Sequence, residues 1–270
     1  MFTGNLLGNI PFPSLPTLLL SAGDLANLYL RNIPPSGYIP PETMVMGLAA
    51  LPRPEHFSIG FQSATPRPGQ IHPPPMTRAI PPALTSFSFK GASEYLEDLV
   101  SRIDAPPLDE IHIYYLHQVV DFQVRKLSRF VEGSVGPKLA LFKYANVTFF
   151  CDKATFDTSH QPHDPYSDTP CANTTIFFQE IGWQGSHIAQ VLSQCSARLS
   201  NVVHLKLDVH LEEDSQLEGT DDVEWLHLLH QFSTMQALSV LRELVGNVAL
   251  VLEEITAEMV ADTLPSLDLI

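Results

Sequence analysis

The hydrophobic positions of this chain follow a recurring pattern of apolar, any, any, apolar, any, apolar. The clearest copy is Leu108, Ile111 and Ile113, with polar residues at the positions between them. Successive copies begin about 30 residues apart, except that Leu139 and Val202 are separated by about two such periods. A unit of this length and pattern is the signature of leucine-rich repeats. The other copies are Leu25/Leu28/Leu30, Pro54/Phe57/Ile59, Leu84/Phe87/Phe89, Leu139/Phe142/Tyr144, Val202/Leu205/Leu207, Met235/Leu238/Val240 and Leu264/Leu267/Leu269.

Apolar residues at helical spacing lie between these copies. From Leu96 to Ile103 they stand at i, i+3, i+4 and i+7, which predicts one amphipathic helix. Ser93 and Ser186 lie near the starts of two such helices and are candidate N-caps. Alternation of strand and helix at this period predicts parallel strands with helical returns. The other helical stripes are Met44/Leu48/Leu51, Val124/Leu127/Val131, Ile188/Val191/Leu192/Cys195 and Trp225/Leu229/Phe232.

We therefore predict one leucine-rich-repeat-like domain over residues 1–270, an α/β solenoid of horseshoe shape. Parallel strands would lie on its concave face and helices on its convex face. The repeats should be irregular, because the position that is often Asn or Cys in regular repeats holds unrelated residues here, such as Ile33 and His210.

Two segments interrupt the repeat. The doubled gap between Leu139 and Val202 predicts a hairpin-like excursion at 148–180, in which Thr148–Phe156 and Thr174–Phe178 are extended. Ser63–Arg78 contains five prolines and cannot form a helix or an interior strand. This segment is either a stiff loop between repeats or a polyproline ligand.

The same pattern assigns the two faces of each strand. Alternate side chains of a strand point to opposite sides, so the fourth and sixth positions face the core and the third, fifth and seventh face the open side. Tyrosine, arginine and histidine at open positions are good anchors for protein contacts, although an ordinary solvated strand face would also be polar. The predicted partner-binding residues are Asn27, Tyr29, Arg31, His56, Ser58, Ser86, Lys90, Glu110, His112, Tyr114, Lys143, His204, Lys206 and Asp208.

Two segments resemble the leucine-rich-repeat regions of F-box proteins that are expanded in mushroom-forming fungi. They are Pro13–Gln62 (PSLPTLLLSAGDLANLYLRNIPPSGYIPPETMVMGLAALPRPEHFSIGFQ) and Leu84–Leu116 (LTSFSFKGASEYLEDLVSRIDAPPLDEIHIYYL), and the likeness covers most of the chain. In that family an N-terminal F-box docks on the Skp adaptor of a cullin–RING ubiquitin ligase. The resemblance implies a protein-interaction scaffold, the target-recognition region of an F-box-type adaptor, whose partner is an unidentified protein.

The F-box itself is missing from these residues. Leu15–Leu20 superficially resembles an F-box opening, but it runs directly into the repeat at Leu25 and leaves no room for the three helices. We therefore expect binding to the Skp adaptor only if an F-box lies upstream. The chain also begins inside a repeat, without the polar cap that a solenoid end needs, so we expect a fragment or a truncated gene model.

Charge and hydropathy narrow the classes of partner. The chain has 15 Lys+Arg against 30 Asp+Glu, a formal net charge of −15, which argues against a nucleic acid partner. The acidic run Glu212–Glu224 is either a solvated loop or a docking point for a basic segment.

No run of 18 apolar residues and no secretory signal occurs, so we expect no membrane association and an intracellular location, cytoplasmic or nuclear.

Catalytic and nucleotide-binding motifs such as G-x-S-x-G, G-x-x-x-x-G-K-[ST] and H-E-x-x-H are absent from the sequence. We therefore expect no enzymatic activity, no cofactor and no metal. One alternative is a degenerate hydrolase or metal-dependent protein that uses the loop His160–Asp164, whose imidazoles and carboxylate suit zinc. Another is an orphaned fragment without a partner. Cys151 and Cys171 flank a loop and could form one disulfide, whereas Cys195 lies on a helical apolar stripe.

Overall fold

Parallel strands with helices between them make up most of the computed structural model, which confirms the predicted α/β class. The chain divides into two compact units, Met1–Ser134 (the first unit) and Val135–Ile270 (the second unit). The structure describes residues 24–63, 78–116, 124–135, 141–150, 153–159, 172–177, 184–193, 199–210, 222–232, 234–241, 244–246, 248–250 and 268–269.

The strands of the first unit lie side by side in chain order, and each pairs in parallel with the next. Their register aligns the fourth positions of successive copies, Leu28, Phe57, Phe87 and Ile111, in one row. The sixth positions form a second row on the same, buried side. The sequence prediction of strand direction and facing is therefore confirmed in this unit. The strands are β1 (Asn27–Ile33), β2 (His56–Phe61), β3 (Ser86–Gly91) and β4 (Glu110–Tyr115).

Among the described residues of this unit, three helices accompany the strands: α1 (Pro41–Ala49), α2 (Ser93–Val100) and α3 (Arg125–Ser134), with a short 3-10 helix at Pro35–Gly37. Their predicted apolar stripes are buried, as the 0% exposure of Leu96 and Leu99 shows. The predicted N-caps are wrong. Ala92 occupies the N-cap of α2, and Ser93 is the first helical residue, whose hydroxyl contacts Glu94 instead.

Charged side chains link successive helices of the first unit. The carboxylate of Glu97 on α2 accepts hydrogen bonds from the backbone N–H groups of Lys126 and Leu127, at 2.9 and 2.8 Å. This contact caps the start of α3 with a side chain from the preceding helix. The Arg102 guanidinium, only 5% exposed, donates to Glu42 at 3.1 Å and to Asp98 at 3.5 Å. The helical layer is therefore held together by polar contacts as well as by apolar packing.

An aromatic cluster fills the core below the carboxyl ends of β2 and β3. The ring of Tyr95 lies 4.8 Å from that of Phe61 and 5.8 Å from that of Phe89, and its hydroxyl donates to the Ile39 carbonyl at 2.9 Å. Gly91 leaves the space that this cluster needs. A Cβ at this position would lie 2.7 Å from the Phe89 ring and 3.0 Å from the Phe61 ring.

The second unit combines parallel strands with an antiparallel segment. Its strand order is β7-β6-β5-β8-β9-β10, in which β6 runs antiparallel to β5 and β7 and the remaining neighbours are parallel. Its elements are β5 (Tyr144–Phe150), β6 (Lys153–Ser159), β7 (Ala172–Phe177), α4 (Gln184–Leu192), β8 (His204–His210), α5 (Asp222–Leu229), a 3-10 helix (His230–Phe232), β9 (Ala237–Val240) and β10 (Asp268–Leu269).

The antiparallel strands β6 and β7 occupy the predicted excursion. The segment Thr148–Phe156 is not one strand, because it is divided between the end of β5 and the start of β6. The second N-cap assignment is also wrong, since α4 begins at Gln184, two residues before Ser186. None of the helices in the described ranges has both the length and the apolar character that crossing a membrane would require.

The register of the second unit corrects two of the predicted copies. Leu205 on β8 pairs with Ala145 on β5 and with Leu238 on β9. The copy on β5 therefore begins at Phe142 and not at Leu139. Likewise Leu238 pairs with Leu269, so the fourth position of the last copy is Leu269 and not Leu267. The apolar pattern fits more than one frame in these segments, and only the hydrogen-bonded ladder selects between them.

We predict that Leu205→Ala lowers the free energy of unfolding by roughly 2–5 kcal/mol, because truncation of a buried leucine leaves a cavity. Leu205 is 1% exposed. Lys206→Ala should cost less, up to about 1 kcal/mol, since this side chain faces the opposite side of the strand and is half exposed, although it pairs with the mostly buried Asp208 carboxylate. Urea unfolding of both variants measures the difference. Equal destabilisation would contradict the assigned facing of β8.

Gly91→Ala should lower the free energy of unfolding by roughly 1–3 kcal/mol, because the added methyl group overlaps the rings of Phe61 and Phe89. Gly133→Ala is the matched control, since a Cβ at Gly133 on α3 meets nothing within 4 Å. That change should be neutral or stabilising by up to about 1 kcal/mol, as expected for glycine in a helix. Thermal and urea unfolding distinguish the two. A Gly91→Ala protein as stable as the parent would contradict the packing described for this core.

Candidate functional site

The open face of the first unit's sheet consists of polar, charged and aromatic side chains in cross-strand rows. The parallel register brings these residues together from strands that belong to successive repeats. All the predicted site residues of this unit belong to the face, together with Ser88, which the sequence reading omitted. The rows are Asn27, His56, Ser86 and Glu110; then Tyr29, Ser58, Ser88 and His112; then Gly60, Lys90 and Tyr114, with Arg31 next to Gly60.

A hydrogen-bonded group occupies the first two rows near β4. The Ser86 hydroxyl lies 3.4 Å from the Glu110 carboxylate, and His112 Nε2 lies 3.6 Å from the same carboxylate oxygen. These distances permit a hydrogen bond from serine and an ion pair when the imidazole is protonated. His56 lies in the same row, and its Nδ1 is buried with no hydrogen-bond partner among the described residues. This part of the face can exchange hydrogen bonds with polar groups of a bound molecule.

Two cation–aromatic pairs occupy the end of the face nearest the carboxyl ends of the strands. The Arg31 guanidinium lies 4.9 Å from the centre of the Tyr29 ring, and the Lys90 ammonium lies 4.7 Å from the centre of the Tyr114 ring. Such contacts favour one orientation of the long side chains, by about 0.5–1 kcal/mol at exposed sites. Gly60 lies between the two pairs and contributes no side chain, and it is covered by its neighbours, since a Cβ there would lie 3.4 Å from the Lys90 Cβ and 4.0 Å from the Arg31 Cα.

A β-bulge brings Arg31 to this position. Leu30 pairs with Ile59 but Ile33 pairs with Phe61, so β1 contains one more residue than β2 over this stretch. Asn32 takes up the extra length with a positive φ of 56°, a conformation that asparagine tolerates better than most residues. Both Arg31 and Asn32 are exposed as a result.

The open face of the second unit has a different composition. His204, Lys206 and Asp208 on β8 belong to it, as the sequence predicts. Lys143 does not, because it precedes β5 and its carbonyl accepts hydrogen bonds from the N–H groups of Val203 and His204 at 2.9 and 3.1 Å. That register places other residues on the face, which the sequence analysis missed because it read β5 in the wrong frame: Tyr144, Asn146 and Thr148 on β5, and Asp157 and Ser159 on β6.

Stacking and charge pairing organise this second face. The Tyr144 and His204 rings are nearly parallel, at 9°, with centres 4.6 Å apart. The Lys206 ammonium lies 2.6 Å from the Asp208 carboxylate. Between these groups is a cavity of about 350 Å³ whose lining includes Tyr144, Asn146, Asp157 and Lys206. This is a size in which a small ligand or one side chain can be held.

The alternative chemical sites lie outside the described residues. These are the loop His160–Asp164, the three cysteines and residues 212–221 of the acidic run. Where the structure does describe the chain, no group of three or more His, Cys, Asp or Glu side chains is arranged to hold a metal ion. The alternative of a metal-dependent loop therefore stays a prediction from sequence.

Comparison of the chain with protein-family models, with curated proteins and with solved structures found no match.

The facing of β4 can be tested with two adjacent tyrosines. Burial raises the pKa of Tyr115 well above its ordinary value of 10.0, and the Glu97 carboxylate adds to the increase. Tyr115 is 2% exposed, whereas its neighbour Tyr114 lies on the open face. Nitration with tetranitromethane at mildly alkaline pH should therefore modify Tyr114 and spare Tyr115, since the reagent attacks accessible phenolate. Peptide mass spectrometry locates the modification.

The control for this experiment is the same reaction in urea, where both tyrosines should react. The direction of the pKa shift adds a second expectation. Because the folded-state pKa of Tyr115 is above the unfolded value, its neutral form stabilises the fold below about pH 10, and this contribution is lost as the pH rises through the folded-state pKa. Preferential nitration of Tyr115 in the folded protein would mean that β4 faces the other way.

Proposed function

We propose that this chain is a protein-interaction module of the leucine-rich-repeat type, and that the open face of the first unit's sheet binds the partner protein. The observation that carries the proposal is that core-facing and open-facing positions alternate along each strand of this unit. The fourth and sixth positions are buried, and the alternate positions form continuous rows of Tyr, Arg, Lys, His and Glu on the other side. A polar, aromatic and charged surface on regular strands suits recognition of a macromolecule.

The composition of the face supports protein as the ligand. Tyrosine and arginine are the residues most enriched among the energetic anchors of protein interfaces. Here Tyr29 and Tyr114 are each in contact with a cation from their own face, so less conformational entropy is lost when they are immobilised on binding. Because they lie on β1 and β4, the outer strands of the set, their separation suits a partner that spans several repeats.

The repeat class and the adaptor role are further parts of the proposal. Parallel strands, in-register apolar rows and a spacing of about 30 residues support a leucine-rich-repeat solenoid. The resemblance to fungal F-box proteins supports target recognition within a ubiquitin-ligase adaptor. Delivery of the target would require an F-box that docks on the Skp adaptor, and these 270 residues contain none. The function proposed for this chain is therefore capture of the target protein.

The test is affinity capture from fungal lysate with matched variants, quantified by mass spectrometry. Tyr29→Ala combined with Tyr114→Ala should reduce recovery of the specific targets at least about tenfold, since loss of two interface anchors typically costs more than about 2 kcal/mol in binding. The control combines Met46→Ala and Arg129→Ala, two exposed residues on α1 and α3, and should recover the targets as well as the parent.

Urea unfolding must show that both double variants are as stable as the parent, so that loss of capture reports on the surface and not on folding. Equal recovery by the tyrosine variant and the parent would reject the open face of the first unit as the binding surface. Targets that are kept by that variant but lost on deletion of His160–Thr169 would place binding on that loop.

A further inference from the structure

The cavity on the open face of the second unit is built from residues of four strands. It measures about 350 Å³. The antiparallel and parallel ladders on either side of β5 bring its lining together, with Asp157 directly opposite Asn146 on one side and Lys206 on the other. The side chains that carry the argument are Tyr144, Asn146, Asp157, Ser159, His204 and Lys206.

Asn146 holds a polar atom that the fold does not satisfy. Its side chain is 7% exposed, and Nδ2 donates to Thr148 Oγ1 at 3.0 Å. This bond orients the amide and leaves Oδ1 buried, with no hydrogen-bond partner among the described residues. A buried acceptor without a partner costs free energy, and most such groups in native proteins are paired. A ligand that donates a hydrogen bond to Oδ1 would remove this cost.

The neighbours of Asn146 narrow the chemistry of that ligand. The Asp157 carboxylate across the ladder adds a second acceptor and a negative charge. The Lys206 ammonium lies 2.6 Å from the Asp208 carboxylate, and this ion pair offsets the positive charge of the lysine. The stacked Tyr144 and His204 rings form an aromatic wall. Acceptors, a carboxylate and an aromatic wall together match a guanidinium group, which is planar, cationic and carries five N–H donors.

We propose that this cavity is a specificity pocket for an arginine side chain of the partner protein. The inference rests on the proposed function and adds the chemistry of one contact to it. The formal net charge of −15 on the chain favours a basic partner segment. The pocket has room for one long side chain, so it selects a residue within that segment.

The probe is the peptide acetyl-Gly-Arg-Gly-amide, titrated into the full chain and followed by NMR through the side-chain amide signals of Asn146. These signals should shift and saturate. The isosteric citrulline peptide, which lacks the charge, should bind at least about tenfold more weakly, and the lysine peptide should also bind more weakly because it cannot donate in the fork geometry. Failure of the arginine peptide to saturate, or equal affinity for citrulline, would overturn the proposal.

Asn146→Leu separates binding from folding. It removes the unsatisfied acceptor at similar volume and also the bond that Asn146 donates to Thr148 Oγ1. These two effects on stability in urea should largely cancel, while affinity for the arginine peptide, followed here by calorimetry, should fall at least about tenfold. Asp157→Asn provides a second variant of nearly identical shape and should weaken binding several-fold. An Asn146→Leu protein that is markedly less stable, or that binds the peptide as well as the parent, would show that Asn146 is a structural residue.

Lys206→Ala tests the sign of the charge that the pocket accepts. Removal of this cation frees Asp208 and should strengthen arginine binding several-fold, whereas a pocket for anions would lose affinity. Inorganic phosphate is the opposing probe, and saturable phosphate binding that depends on Lys206 would overturn the proposal. If the arginine peptide binds but no target protein is captured from lysate, the proposed function is rejected and the pocket is not. If target proteins are captured and their recovery does not depend on Asn146, the pocket is rejected and the proposed function is not.

Discussion

The in-register alignment of parallel strands is the constraint on which the described structure depends. A strand with apolar residues at alternate positions can bury only one side, and it needs a neighbour with the same alternation to continue that buried surface. In the first unit, Leu28, Phe57, Phe87 and Ile111 form such a row, and each is at most 1% exposed. A shift of one residue in any strand would move its apolar side chains to the open side and break both surfaces.

The helical layer adds polar specificity to this apolar stacking. Glu97 caps the helix that follows its own, and Arg102 pairs with carboxylates on two helices. The Arg102 guanidinium leaves Nε and Nη1 without hydrogen-bond partners among the described residues, a cost that an apolar residue would avoid. Directional contacts of this kind favour one alignment of the helices over others.

Separation of the two faces allows the core and the composition of the open face to vary independently. Tyr114 and Tyr115 are adjacent in sequence, yet one lies in a cation–aromatic pair on the open face and the other lies in the core. The two units use this freedom differently. The first presents arginine and lysine over tyrosine rings, whereas the second presents a tyrosine–histidine stack beside an unsatisfied asparagine. The side chains of the open face can thus change through substitutions that leave the apolar rows intact.

The sequence by itself determined the parallel strands of the first unit, their facing and the helices that follow them, because alternation and helical spacing are local properties of each segment. It also assigned the open-face residues of that unit to the correct side of their strands, from Asn27 on β1 to Tyr114 on β4. Tertiary structure alone decided the frame of β5, in which Ala145 and Val147 take the positions that the pattern assigned to Phe142 and Tyr144. Lys143 consequently lies off the face and Asn146 lies on it.

The same limit explains the contacts that the sequence did not reveal. The start of α3 is capped by Glu97 from the preceding helix. The pocket joins Asn146 on β5 to Lys206 on β8, although β6, β7 and α4 lie between these two strands in the chain. No spacing rule relates residues so far apart, since their proximity follows from which strands pair and in what register. The hydrogen-bonded ladder makes that choice, and it exists only once the chain has folded.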